Sequence, residues 1–360
     1  MAAIRALFLA DTHLGFDLPQ RPRVDRRRRG HDFFANFERV LEIAAQERVD
    51  FVLHGGDLFY RSRVPASLVH RAFQPLKRLA EAGIPVFLVP GNHERSRIPY
   101  PMLALHPRIH VFDRPRTFIA ETPGGKVALA GFPYYRPGVR AAFSELLERT
   151  GWEGAVAEIS LLCVHHAFEG AMVGPRDYTF RYERDVVRLA EVPHSFAAVL
   201  SGHIHRHQVL TRDLRGRALE APVLYPGSIE RTSFAERDEP KGFLLVDFEP
   251  AGSSGGILSN WEFRQLPARP MVVSDLTADG GGGAHLESEI RRVIDMAPLD
   301  CVLRIRIHGF PDEEVRRLVR PANLRDLAPA TMNVDVVLID AARQVDTHVR
   351  RTSQPVRSIP

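Results

Sequence analysis

Five short apolar runs dominate this chain, and each gives way within a few residues to aspartate, asparagine or histidine. Ile4–Ala10 runs into Asp11-Thr12-His13, and Val49–Leu53 runs through His54-Gly55-Gly56 into Asp57. Ile84–Val89 leads to Gly91-Asn92-His93-Glu94, Ile159–Val164 to His165-His166, and Phe196–Leu200 to Ser201-Gly202-His203-Ile204-His205. Runs of this length and composition predict strands buried on both faces of a sheet. A strand that stops at Gly-Gly can turn tightly and leave the next side chain at its carboxyl mouth. A lone Gly-Gly-Asp would mark a turn. Five runs ending alike predict that their polar residues converge on one rim.

The collected donors are carboxylates, one amide and several imidazoles, with no thiolate. That mix suits Mn²⁺, Fe²⁺, Zn²⁺ or Co²⁺ rather than a cysteine-rich structural zinc site. Asp-x-His and His-x-His spacings let residues two apart point the same way in an extended segment. By the same alternation only one of His165 and His166 faces the rim, and the apolar run does not say which. His54, inside a strand, reads as a hydrogen-bonded core histidine, and His207 as lying outside the ligand set.

In this order DTHLG, GGDLF, GNHE, the strand-terminal His165 and GHIH resemble the five motifs of calcineurin-like metallophosphoesterases. With IPVFLVPGNHE, VHHAFEGA and YPGSIERTSF, the stretch Ile4–Leu266 is similar to SbcD-type DNA repair exonucleases. The resemblance implies an α/β fold: a two-sheet sandwich flanked by helices, with a small C-terminal α+β cap. It implies two divalent ions, most often Mn²⁺, bridged by Asp57. Asp11, His13 and His205 would complete one ion, and Asn92, His165 and His203 the other. His93 would be a general acid, or a cation stabilising phosphoryl charge. Some family members carry a histidine three residues after the bridging aspartate, linked to exonuclease activity. This chain has Tyr60 there, a poor proton carrier near neutral pH. The expected function is hydrolysis of DNA phosphodiesters in repair. Competing readings are a hydrolase of nucleotides or phosphoproteins and a non-catalytic DNA-binding scaffold.

The domain organisation expected is a nuclease domain over residues 1–267, a capping domain over 268–340 and a disordered tail over 341–360. Within the first, amphipathic helices are expected at Asp32–Arg48, with Phe33, Phe37, Val40, Leu41 and Ala44 inward, and from Pro65 to Gly83, kinked at Pro75. The resemblance places a homodimer contact on that second helix and near Met102–Leu105. Phe16–Gly30 reads as a loop carrying Arg26–Arg29, suited to phosphate oxygens, to solvated surface or to local salt bridges. Net charge is +4 and the pI near 9.3, which permits a polyanionic partner such as DNA without proving one. The two cysteines lie far apart in apolar strands, so nothing asks for an oxidising compartment. No run approaches the length of a membrane span, and a cytoplasmic protein is expected. SbcD-type nucleases work with an SMC-like ATPase gripped by helices beyond the cap. The 21 residues after Ile339 show no apolar helical stripe, so a shortened docking element is expected.

Overall fold

The structure, a computed structural model, describes residues 3–19, 22, 24–94, 106–251, 255–278, 282–309 and 312–340. The expectations for Met102–Leu105 and for the tail at 341–360 fall outside them. The chain divides into two compact units, one of Met1–Pro19 with Gly30–Ala268, the other of Gln20–Arg29 with Arg269–Pro360.

The first unit starts with β1 (Ile4–Leu9), α1 (Arg29–Gln46), β2 (Phe51–His54), α2 (Ala66–Glu81), β3 (Val86–Leu88) and β4 (Ile109–Val111). It continues through β5 (Arg116–Thr122), β6 (Gly125–Gly131), α3 (Val139–Glu148) and β7 (Ile159–Val164). Four two-residue strands follow: β8 (Ala167–Phe168), β9 (Met172–Val173), β10 (Tyr178–Thr179) and β11 (Val186–Val187). Last come β12 (Ala198–Ser201), β13 (Gln208–Arg212), β14 (Ala218–Tyr225), β15 (Gly242–Glu249) and β16 (Ile257–Gln265). Two mixed six-stranded sheets result, in the orders β16-β15-β1-β2-β3-β4 and β13-β14-β12-β7-β6-β5.

Side-chain alternation makes these sheets the middle layers of a sandwich. On one face of their strands Phe8, Phe51, Phe87, Leu129, Leu161 and Leu200 meet in a single core between the sheets. On the other face of the first sheet, Leu7, Leu9, Val52 and Val86 pack against Phe33 and Phe37 of α1 and Leu76 of α2. On the outer face of the second, Leu162 and Val199 pack with Phe143 of α3, Phe168 and Tyr225. Burial on both sides is why β1, β2, β3, β7 and β12 read as continuous apolar runs.

The second helix shows how local sequence sets the ends. Pro65 takes the N-cap position, where its missing N–H costs nothing, and the helix continues through Pro75. Gly83, at φ +100°, closes it. Gly83 N donates to Ala80 O and Ile84 N to Leu79 O, the paired bonds of a Schellman end.

The second unit contains β17 (Met271–Ala278), α4 (Gly282–Met296), β18 (Val302–Gly309), α5 (Glu313–Leu318), α6 (Pro321–Leu327) and β19 (Asn333–Asp340). Among the described residues its strand pairs are parallel, in the order β17-β18-β19. The expected α+β unit is therefore an α/β one, because each pair of strands is joined through helices rather than a hairpin. Leu303, Ile305 and Ile307 pack with Leu286, Ile290 and Ile294 of α4 and with Val315 and Leu324.

The arginine loop also departs from expectation. Arg26 donates from its guanidinium to the carbonyls of Arg325, Ala328, Pro329 and Met332. Arg27 N donates to Ala330 O, and Asn333 Nδ2 donates to Arg27 O. A guanidinium presents five N–H donors in a fixed fork, so one side chain can gather the carbonyls left over where a helix ends. Arg26 is thus a structural clamp of the second unit rather than solvated or phosphate-seeking surface.

Candidate metal centre

Because β1, β2 and β3 run parallel, and β7 and β12 run parallel in the facing sheet, their carboxyl ends present side chains to common ground. The loops beyond those ends are laced by backbone bonds: Asp11 N to Gly56 O at 2.9 Å, His13 N to Asp57 O at 3.0 Å and Gly202 N to Val164 O at 3.2 Å. Close packing explains the glycines. A Cβ on Gly56 would sit 2.2 Å from His165 Nδ1, and one on Gly91 would sit 2.1 Å from Asp57 Oδ1.

The backbone is strained where donors are presented. Asp11, His13, Asp57 and His203 have φ of 52°, 42°, 53° and 81°. L-residues avoid this region at a cost on the order of 1 kcal/mol or more each, and such residues cluster at functional sites.

All seven expected donors come together. His13 Nε2 and His205 Nε2 lie 3.0 Å apart, with Asp11 Oδ1 3.9 Å from His205 Nε2. Asn92 Oδ1 lies 3.0 Å from His165 Nε2 and 2.9 Å from His203 Nδ1. Asp57 stands between the two sets, its Oδ2 3.4 Å from His165 Nε2. Three groups of donor atoms each fall within 4.8 Å: Asp11, His13 and His205; His13, Asp57 and His93; and Asp11, Asp57 and His165. Asp11, His13 and Asp57 each belong to two of them, so the three groups overlap in one centre. The crowded atoms are carboxylate and amide oxygens and imidazole nitrogens with no thiolate among them, so the residues fit divalent cations such as Mn²⁺, Fe²⁺, Zn²⁺ or Co²⁺.

Second nitrogens orient the rings. Nδ1 of His165 donates to Gly55 O at 2.8 Å, and Nδ1 of His93 donates to Tyr60 O at 2.7 Å. Each bond aims Nε2 at the centre, as outer partners of metal-binding histidines do. His93 Nε2 lies 3.9 Å from Asp57 Oδ2, with its side chain 34% exposed, whereas Asp11, Asp57 and His165 are buried. The floor is therefore dry and the His93 rim open to solvent.

Electrostatics follow from that burial. It pushes the Asp11 carboxyl up to about 6, against the pull of His165 and His205. Burial would raise Asp57 as well, but the charge and hydrogen bond of His165 hold it well below the usual carboxylate range. Burial opposes charge on His165 too, yet Asp57 and Asp11 carry it up to about 9. Burial keeps His203 down at about 3 and His13 well below the ordinary imidazole value.

Alternation lets only one of His165 and His166 face the centre, and the structure makes it His165. His166 turns away, stacked on Tyr134 at 4.9 Å, and accepts from Tyr135 N through Nε2. His54 lies in the core, bonded to Thr12 Oγ1 and accepting from Gly56 N. His207 donates to Tyr225 O and stacks on Phe263, away from the centre. Two carboxylates escaped the sequence reading. Glu94 accepts from Phe59 N and Gly91 N, tying the Asp57 loop to the Asn92 loop. Glu236 accepts from His205 Nδ1 at 3.2 Å. Its sequence signal, a glutamate 31 residues beyond the histidine, has no periodicity to reveal it.

A model of the calcineurin-like phosphoesterase family matches residues 4–207. The DNA double-strand break repair protein Mre11 of Haloferax volcanii is 29% identical, over 96% of this chain and 74% of that protein. A protein of the same description from Halobacterium salinarum is 29% identical, over 99% of this chain and 88% of that one. A dimetal phosphatase from Danio rerio aligns with 68% of this chain and 95% of that one, at 14% identity and a TM-score of 0.41.

Proposed function

Because the chain belongs to the calcineurin-like phosphoesterase family, we propose that it is a two-metal phosphodiesterase that hydrolyses DNA in repair, of the SbcD kind. The observation that carries the proposal is the convergence of five strand ends on one centre, where three donor groups overlap through Asp11, His13 and Asp57. In this reading Asp57 bridges, Asp11, His13 and His205 hold one ion, and Asn92, His165 and His203 hold the other. Bound divalent cations, Mn²⁺ by the family resemblance, would polarise a phosphoryl oxygen and acidify a water for in-line attack.

The chain's own residues supply the rest. His93, on the open rim, has Nδ1 committed to the Tyr60 carbonyl, so only Nε2 can give a proton to the leaving oxygen. That bond runs to a backbone atom, so it does not depend on which side chain stands at residue 60. The tyrosine ring packs instead against Phe16 and lies 5.6 Å from the His93 ring. Dry walls around Asp11 and Asp57 strengthen every charge interaction with a phosphate.

DNA is favoured over nucleotides or phosphoproteins by the reach of the similarity. The family model stops at residue 207, but the two repair proteins align over nearly the whole chain, including the second unit. That unit would act as the cap over DNA, and an SMC-like ATPase is the matching partner class. Among the described residues no helix is long and apolar enough to cross a membrane. The test is Mn²⁺-dependent digestion of labelled single- and double-stranded DNA, beside bis-(p-nitrophenyl) phosphate. Cleavage of DNA that disappears in Asp57→Ala supports the proposal. Turnover of the small ester with both DNAs intact would refute the substrate assignment.

A further inference from the structure

We propose that Glu236 is the positioning residue of His205, selecting the ring nitrogen that faces the metal centre, with the buried Lys241 locking that carboxylate in place. The proposal rests on the metal-centre reading above.

Glu236 closes a short 3₁₀ turn, Phe234–Glu236, and is nearly buried. One oxygen, Oε1, receives His205 Nδ1 at 3.2 Å and the Thr232 hydroxyl at 2.6 Å. The other, Oε2, receives Thr232 N at 3.3 Å and lies 2.8 Å from Lys241 Nζ. Lys241 is 1% exposed, an uncommon place for a lysine unless it is fully paired. It is: Nζ also donates to Glu239 Oε2 at 3.0 Å and to His205 O at 2.9 Å. An ammonium has three donors, and all three are used. Lys241 therefore holds both the carbonyl of His205 and the carboxylate that holds its ring.

The consequence is a choice of tautomer. An ionised carboxylate only accepts, so His205 must place its proton on Nδ1. Nε2 is then left with its lone pair pointing 3.0 Å from His13 Nε2, toward the Asp11 group. The opposite tautomer would put a proton where a cation has to sit. A carboxylate behind a metal-binding histidine raises its basicity and fixes its plane, and removing one typically weakens metal affinity by 10- to 100-fold.

The test is calorimetric titration of the full metal-free chain with Mn²⁺. The unaltered protein is expected to bind two ions, and His13→Ala identifies which of them lies on the His205 side. Glu236→Gln should weaken that ion by about 10- to 100-fold and leave the other nearly unchanged. Glu239 contacts Lys241 and Arg206 but not the His205 ring, so Glu239→Gln should weaken the ion on the His205 side far less than Glu236→Gln does. If Glu236→Gln fails to fold, Glu236→Asp keeps the charge beside Lys241 and withdraws the carboxylate from the ring, and should give the same selective loss. Nitrogen-15 spectra of the metal-free protein give a second readout: Nδ1–H on His205 in the unaltered chain, a mixed population in the Glu236 variant. Unchanged affinities, equal weakening of both ions, or an equal effect of Glu239→Gln would overturn the proposal. An unaltered chain that takes up no Mn²⁺ would instead sink the metal-centre reading beneath it.

Discussion

Gly91→Ala tests the centre without changing a single donor atom. The added Cβ would lie 2.1 Å from Asp57 Oδ1 and 2.4 Å from Asp57 N, whereas ordinary contact begins near 3.4 Å. Asp57 or the Gly91 backbone must therefore give way by more than about 1 Å. Neither moves freely. Asp57 Oδ1 accepts from His93 N, and Gly91 N donates to the buried Glu94. Overpacking of this kind costs about 1–3 kcal/mol of stability. A misplacement of about 1 Å at a reacting centre costs about 10²-fold in rate. Since Asp57 serves both ions in the proposed scheme, the variant should lose occupancy at both, not one. Metal content by elemental analysis, Mn²⁺-dependent hydrolysis of bis-(p-nitrophenyl) phosphate and thermal unfolding measure the three effects. Gly154→Ala is the control, since its Cβ would meet nothing within 4 Å. A Gly91→Ala protein with two ions and a rate close to the parent's would refute the packing argument and the bridging role with it.

Four further outcomes are expected. Asp57→Ala should lower both metal occupancies and His13→Ala chiefly one, read by metal analysis; a fully loaded Asp57→Ala protein contradicts the bridge. His93→Gln should keep its metals and DNA affinity while turnover falls by about 10²-fold or more; loss of metal would make His93 a ligand, as its place in a donor group with His13 and Asp57 allows. Mn²⁺ affinity should rise with pH from neutrality up to about 9, because His165 carries a proton there that a cation must displace, and then level off; calorimetry in buffers of different ionisation enthalpy should detect the released proton, and its absence counts against His165 as a ligand. Arg26→Ala should lower the unfolding temperature of the second unit, since it removes four hydrogen bonds, two of them part-buried, at a cost on the order of 1–3 kcal/mol; an unchanged melt together with a flatter salt dependence of DNA binding would return Arg26 to phosphate contact.

What could be read from the sequence was whatever repeats at short range. Apolar strands and the polar residues at their ends occupy neighbouring positions, so buried strands ending in candidate donors were visible, and the motif resemblance chose seven of them. Alternation allowed only one of His165 and His166 to face the rim, and the motif resemblance chose His165; His54 read as a core histidine from its place inside a strand. Partners distant in sequence stayed hidden. Glu94 meets Phe59 N, Glu236 meets His205, and Arg26 reaches carbonyls some 300 residues away. No periodicity encodes such pairs, and a charge run looks the same whether it is solvated or spent on carbonyls. Strand direction in the second unit was equally hidden, because side-chain alternation is identical in parallel and antiparallel sheets.

The clamp at Arg26 bears on how this protein can be divided. Residues 20–29 belong to the second unit but are threaded between two elements of the first, so the backbone passes between the units at 19–20, 29–30 and 268–269. A proteolytic cut or stop codon at Ala268 would therefore not release an independent catalytic fragment. It would leave an arginine-rich strap stripped of the carbonyls that Arg26 gathers. The second unit cannot be shed or exchanged as a cassette, and recombination that moves it has to carry a stretch from near the N-terminus as well.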